Sequence, residues 1–176
     1  AGIAFSAPFL KHGRGGDGDL YARHMDLNFH APRCLIEALA PDMLARKYGR
    51  IVNVASSAGL RGYAYVAAYC ASKHALVGYS RSAALELEGS GVTLNLVCPH
   101  FVDSPMTDVS VERIVKKTGR TAAEARALLA AQNPSGTFVT TDEVAEAVVA
   151  LLEGDQNGAT TELVGGGRAS SAARGG

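Results

Sequence analysis

Gly49-Arg50-Ile51-Val52-Asn53-Val54-Ala55-Ser56 passes through the loop glycines Gly59 and Gly62 into Ala67-Ala68-Tyr69-Cys70-Ala71-Ser72-Lys73-His74. The first run, Arg50 to Ser56, follows a glycine, is rich in β-branched residues and ends in a hydroxyl, the pattern of a buried strand. The second opens a stretch to about Leu87 in which Ala, Leu, Ser and Glu dominate, and it reads as one helix. A second strand, Val92 to Cys98, is opened by Gly89-Ser90-Gly91 and closed by Pro99. Strands that alternate with helices imply a parallel sheet with right-handed crossovers. The fold class is α/β.

On such a helix Tyr69 and Lys73, four residues apart, share a face, so phenol and ammonium can point at one spot. A tyrosine ionises near pH ~10, which makes it a poor acid or base at neutral pH. A lysine charge about 4 Å away would favour the phenolate by roughly 4 kcal/mol at an effective dielectric of ~20. That is enough to bring the phenol near neutrality and make it a general acid or base. A lone Tyr-x-x-x-Lys is common on helices; the strand ending in Ser56, thirteen residues before Tyr69, gives this one its weight.

The chain has 176 residues, 47% of them hydrophobic, and 17 basic against 17 acidic side chains, which suits one globular domain. Zero net charge without a Lys/Arg cluster argues against a nucleic-acid partner or an anionic membrane surface. No apolar run approaches the ~20 residues that span a bilayer. Cys34, Cys70 and Cys98 are odd in number and lack metal or redox spacing, which fits a reducing, cytoplasmic setting. His12, His24, His30, His74 and His100 show no metal-ligand spacing, so no metal site is expected.

Leu20 to about Tyr48 reads as one long helix with Pro32 and Pro41 inside it and Gly49 as its stop. Pro32 has no N–H for the carbonyl of Asn28, so a kink is expected there and the Asn28 main-chain oxygen is left for another partner. Gly13-Arg14-Gly15-Gly16-Asp17-Gly18 follows no strand and reads as a surface loop rather than a phosphate cradle. Val111 to about Gln132 has helical rhythm, Thr140-x-x-Glu143 is a capping box for a helix from Asp142 to Glu153, and Thr161 to Val164 gives a last strand. Residues 168–176, rich in Gly, Ala, Ser and Arg, are expected to be a disordered tail after a domain of residues 1–167.

Taken in order, Asn28 in Met25-Asp26-Leu27-Asn28, the Asn53-to-Ser56 strand end, Tyr69/Lys73, Pro99-His100-Phe101-Val102-Asp103-Ser104-Pro105-Met106 and Val164-Gly165-Gly166-Gly167 resemble the single-domain short-chain dehydrogenase/reductases. The resemblance covers the chain from Ala1 to about Gly167. It implies a Rossmann-like parallel sheet, NAD or NADP as cofactor, and interconversion of a secondary alcohol and a ketone. It also implies that the glycine-rich turn holding the pyrophosphate lies upstream, so that this chain is the C-terminal, catalytic portion of a longer protein. By the same resemblance Tyr69 is the acid/base, Lys73 lowers its pKa and holds the nicotinamide ribose, Ser56 holds the substrate oxygen, and Asn28 orders a water relay. Gly2, Pro99, Val102 and Ser104 would join Tyr69 and Lys73 around the cofactor. His100 departs from the glycine usual after the proline, and would be strained if that position needs positive φ.

Leu60, Tyr63, Tyr65 and Met106 are expected to line an apolar substrate pocket beside Ser56, under a helical lid from Thr107 to Gln132. The lid and Asn133-Pro134-x-Gly136 are similar to members acting on 3-hydroxybutyrate or 3-hydroxyacyl thioesters. A homotetramer is expected, built on Leu76, Ser80, Ala83, Ala84 and Leu87 with Leu35, Leu39, Met43 and Leu44 of the preceding helix. The alternative is a catalytically inactive remnant that serves as a protein-binding or oligomerisation module.

Overall fold

The computed structural model describes residues 2–12 and 19–172. Ala1, the glycine cluster from Gly13 to Gly18 and residues 173–176 of the expected tail lie outside the described residues. The helices are α1 (Leu20–Met25), α2 (Ala31–Ala45), α3 (Ala67–Glu86), α4 (Pro105–Thr118), α5 (Ala122–Ala130) and α6 (Thr141–Glu153). The strands are β1 (Gly49–Val54), β2 (Val92–Pro99), β3 (Thr160–Gly165) and β4 (Arg168–Ala172), in the spatial order β1-β2-β3-β4. The first three run parallel and β4 returns antiparallel to β3.

β2 is buried along its whole length, and apart from Thr93 and Asn95 its residues are apolar. Its alternate residues serve two layers. Leu94, Leu96 and Cys98 meet Ile36, Leu76, Val77 and Ala84 of α2 and α3 on one face. Val97 meets Leu151 of α6 and Leu163 of β3 on the other. Each such side chain, fully buried, contributes about 1.5–3 kcal/mol. Asn53 donates to Ser80 Oγ at 2.8 Å, and Asn95 donates to the Gln156 carbonyl at 2.7 Å and accepts from Ala159 N, while the buried Thr93 hydroxyl has no partner among the described residues.

Four boundaries differ from expectation. The long helix is divided by a π-turn, Asp26–His30, in which the Ala31 N–H reaches back five residues to the Asp26 carbonyl. The missing N–H of Pro32 is therefore absorbed by a wider turn around Asn28, a common solution next to proline. The helix then stops at Ala45, with Lys47 in the left-handed region at φ 54°, while Gly49 begins β1. Gly49 is required for packing instead: a Cβ there would stand 2.6 Å from Met43 Sδ. The stretch Val111 to Gln132 is two helices, broken where Gly119 turns left-handed and Thr121–Glu124 recaps the chain. Residues 168–172, expected to be disordered, form β4, because the unpaired edge of β3 offers them a ladder.

Candidate active site

The strand β1 ends two residues before Ser56, which is extended and caps a 3-10 turn, Ser57–Gly59, by accepting from Ala58 N at 3.1 Å. That turn packs on α3 at its middle: a Cβ on Gly59 would lie 2.7 Å from the Lys73 carbonyl and 2.8 Å from Val77 Cγ2. Only glycine lets the turn come this close. The close approach brings Ser56 within hydrogen-bonding reach of the Tyr69 side chain.

Lys73 is buried, donates to the Val54 carbonyl at 3.2 Å, and sits 5.9 Å above the centre of the Tyr69 ring. Burial presses its pKa down to about 8. Tyr69 moves the other way: burial raises its phenol, opposed by the Ser56 hydrogen bond, with Cys70 and Cys98 adding to the rise. The expected lowering of the phenol by Lys73 is not what the structure shows. The ammonium faces the ring and a strand carbonyl, so desolvation decides the balance at the phenol.

Asn28, in the π-turn, is buried and fully used. Its Oδ1 accepts from Ile3 N and its Nδ2 donates to the Ile3 carbonyl, both at 3.0 Å, and to Ser72 Oγ at 3.1 Å. Ser72 in turn donates to the Tyr69 carbonyl at 2.8 Å. The Asn28 side chain is thus a clamp between the N-terminal segment and α3. Gly2 lies against it, where a Cβ would stand 3.0 Å from Asn28 Oδ1.

Two residues at this site had no signal in the sequence. His24 is buried edge-on to Tyr69, ring centres 6.2 Å apart, with Nδ1–H donating to the Leu20 carbonyl and Nε2 accepting from Phe5 N. Burial lowers its pKa, which suits the neutral ring these two bonds require. His12 is likewise buried, bridging the Ala7 carbonyl and Ala68 N. Their spacing carries no motif; only tertiary packing brings His24 to the Tyr69 ring and His12 to the backbone of Ala68.

The remaining expected residues are spread around this centre. Pro99 closes β2 opposite Leu163, Val102 forms a single parallel bridge with Val139, and Ser104 precedes α4 with a hydroxyl that makes no capping bond. Leu60 packs partly into the core beside Leu76 and Cys98. Tyr65 is 67% exposed and left-handed at φ 67°, its carbonyl accepting from Ala7 N. Met106 is exposed on the first turn of α4, and Tyr63 donates to Ser57 Oγ at 2.9 Å. His100 is not left-handed, so the feared backbone strain does not arise; its ring is buried and bonded to Glu162. Among the described residues no cluster of His, Cys, Asp or Glu could hold a metal, and no helix is long and apolar enough to cross a membrane.

The family model described as short chain dehydrogenase matches residues 1–115. The chain is 37% identical to galactitol 2-dehydrogenase of Agrobacterium fabrum over 138 residues, 78% of this chain and 54% of that protein. It is 40% identical to D-beta-hydroxybutyrate dehydrogenase of Cupriavidus necator over 124 residues, 70% of this chain and 46% of that one. Among solved structures, an actinorhodin polyketide ketoreductase variant with NADPH superposes with a TM-score of 0.82 at 32% identity, covering 94% of this chain and 64% of that chain. The chain spans about half the length of these curated relatives. With Ser56, Tyr69 and Lys73 gathered on one parallel-sheet scaffold, and the family model spanning both strand end and helix, the chain belongs to the short-chain dehydrogenase family.

Proposed function

We propose that the protein carrying this chain is an NAD(P)-dependent oxidoreductase that interconverts a secondary alcohol and a ketone. The observation that carries this reading is the buried Lys73 ammonium, 5.9 Å from the centre of the Tyr69 ring and bonded to the Val54 carbonyl at the end of β1, two residues before Ser56. A nicotinamide bound here would supply or accept the hydride. Tyr69 gives a proton to, or takes one from, the substrate oxygen. Ser56 orients that oxygen, and the Lys73 ammonium, which gives one of its three N–H donors to the Val54 carbonyl, has donors left for a ribose. The uncapped hydroxyl of Ser104, Pro99 and the Val102 backbone fit the amide end of the cofactor, and Gly2 leaves room beside Asn28. The Asn28 main-chain oxygen would hold the water that renews the proton on Lys73. These residues suit the nicotinamide end, which NAD and NADP share, so the proposal names either.

The relatives' names span a polyol, a hydroxy acid and a polyketide, so we propose the substrate only as a secondary alcohol or ketone, with a 3-hydroxy acid or 3-hydroxyacyl thioester favoured by the lid pattern. Met106 and Tyr65 would contact it. A cytoplasmic homotetramer completes the proposal.

The test is Tyr69→Phe in the full-length protein. It keeps the ring and removes the proton donor, so turnover falls at least ~100-fold. Turnover near that of the unmodified enzyme would remove Tyr69 from the mechanism.

A further inference from the structure

At His100 this chain has an imidazole where its relatives are expected to have no side chain, and the structure gives that ring a full set of partners. His100 Nε2 lies 2.7 Å from Glu162 Oε1 on β3, and the side chain is 1% exposed. Glu162 also holds the Arg61 guanidinium in an ion pair. On its other side His100 Nδ1 faces the Tyr63 hydroxyl at 3.5 Å, and Tyr63 donates to Ser57 Oγ at 2.9 Å. Arg61 returns to the same serine, its backbone N–H donating to the Ser57 carbonyl at 3.1 Å. The five residues therefore close a ring: Ser57, Tyr63, His100, Glu162, Arg61 and back to Ser57.

We infer that His100 is a positioning residue that fixes the turn presenting Ser56. Ser57 is held at both ends, at its side-chain oxygen through Tyr63 and at its carbonyl through Arg61. Both holds trace back to Glu162, directly for Arg61 and through the imidazole for Tyr63. Glu162 accepts from Nε2–H, so the ring nitrogen that meets the Tyr63 hydroxyl is Nδ1. A glycine at position 100 would leave the Tyr63 hydroxyl and Glu162 without this bridge, and would let the loop shift by the few tenths of an ångström that oriented catalysis notices. Ser56, one residue away and capping the same turn, would shift with it. His100 touches neither substrate nor cofactor in this scheme; it acts through Tyr63 and Ser57.

The inference rests on the dehydrogenase reading, and the experiment separates the two. The variants are His100→Gln, which retains an amide near Nε2 and loses the Tyr63 contact, His100→Asn, which retains one near Nδ1, and Tyr63→Phe. In the full-length enzyme His100→Gln and Tyr63→Phe each lower kcat about threefold to tenfold, the worth of one hydrogen bond, with KM for the cofactor within about twofold. The double variant falls no further than the worse single, because both cut the same ring, and His100→Asn, which gives up the Glu162 bond instead, falls by a similar factor. An unchanged kcat in His100→Gln, or a double variant showing the product of the two single losses, overturns the inference. Imidazole ¹⁵N spectra read the ring without any turnover: Tyr63→Phe moves the Nδ1 resonance and Glu162→Gln the Nε2 resonance. A still Nδ1 resonance in Tyr63→Phe also overturns it. If the unmodified protein turns over no secondary alcohol or ketone with either nicotinamide cofactor while those resonances move, the dehydrogenase reading fails and the ring stands.

Discussion

Burying Lys73 against a single carbonyl takes an ammonium out of water, and its pKa falls from 10.5 to about 8. The unfolded chain keeps that proton to about pH 10.5 and the folded chain to about pH 8. Between those values the unfolded state binds more protons, so this group's contribution to stability rises with pH. Below pH 8 the folded state bears the whole cost of the buried charge. Lys73→Met should therefore stabilise the protein without cofactor at pH 7 by about 1–3 kcal/mol, while turnover collapses. The gain should shrink through pH 8 to 10.5 and vanish above. Urea unfolding at pH 7 and at pH 10 checks this; parallel stabilities at both would mean the ammonium is solvated after all. Tyr69, Lys73 and Ser56 were legible because their relation is a spacing along the chain. The electrostatic balance between them was not. It depends on which way the ammonium points and how much water the phenol keeps, and both are set by β1 and the Ser57–Gly59 turn.

Among the elements, the turn Ser57–Gly59 carries the greatest constraint, since it must seat on α3 with no side chain between them. Gly59→Ala would force a Cβ to within 2.7 Å of the Lys73 carbonyl, a backbone atom that cannot swing aside. Overpacking of this kind costs about 1–3 kcal/mol, and here the turn must lift away from the helix, taking Ser56 from Tyr69. We expect the Gly59→Ala midpoint to fall in denaturant and kcat to drop, while a Gly62→Ala control, with no atom within 4 Å of its Cβ, changes neither. Equal behaviour of the two variants would show that the close seating is unimportant. Strands β1, β2 and β3 and the capped helix α6 were readable from period and caps, because those signals are local. The π-turn was half readable: Pro32 announced a defect, but whether it becomes a bend or a wider turn depends on Asn28 being pinned to Ile3 and Ser72. Gly119 looked like part of a helix because its neighbours keep the rhythm, and only its left-handed φ of 71° ends α4.

For the molecule as a whole, the packing of α2 and α3 on β2 decides which apolar residues remain for a partner. Leu76, Ser80, Ala84 and Leu87, expected at an interface, are buried within this chain, and Met43 packs against Ile36, Leu87 and Leu94. Helical period could not reveal this, because the rotation of a helix about its axis is fixed by the sheet it meets. Leu35 at 64% exposure and Leu39 at 53%, one turn apart on α2, are left in water, with Leu85 at 69% near the end of α3. Isolated exposed leucines are ordinary, but a stripe along one helix is a surface that association can cover. Each leucine covered contributes about 1.5–3 kcal/mol, and a two-fold axis presents every one of them twice. The proposed homotetramer should therefore use the Leu35–Leu39 face, and Leu35→Glu with Leu39→Glu should reduce it to smaller species. Neither residue belongs to the site around Tyr69, so the dissociated protein should retain its fold by circular dichroism. Sedimentation of both full-length proteins at micromolar concentration is the measurement. A single fully active monomer in the unmodified protein, or a tetramer indifferent to the two glutamates, would place the assembly surface elsewhere or remove it.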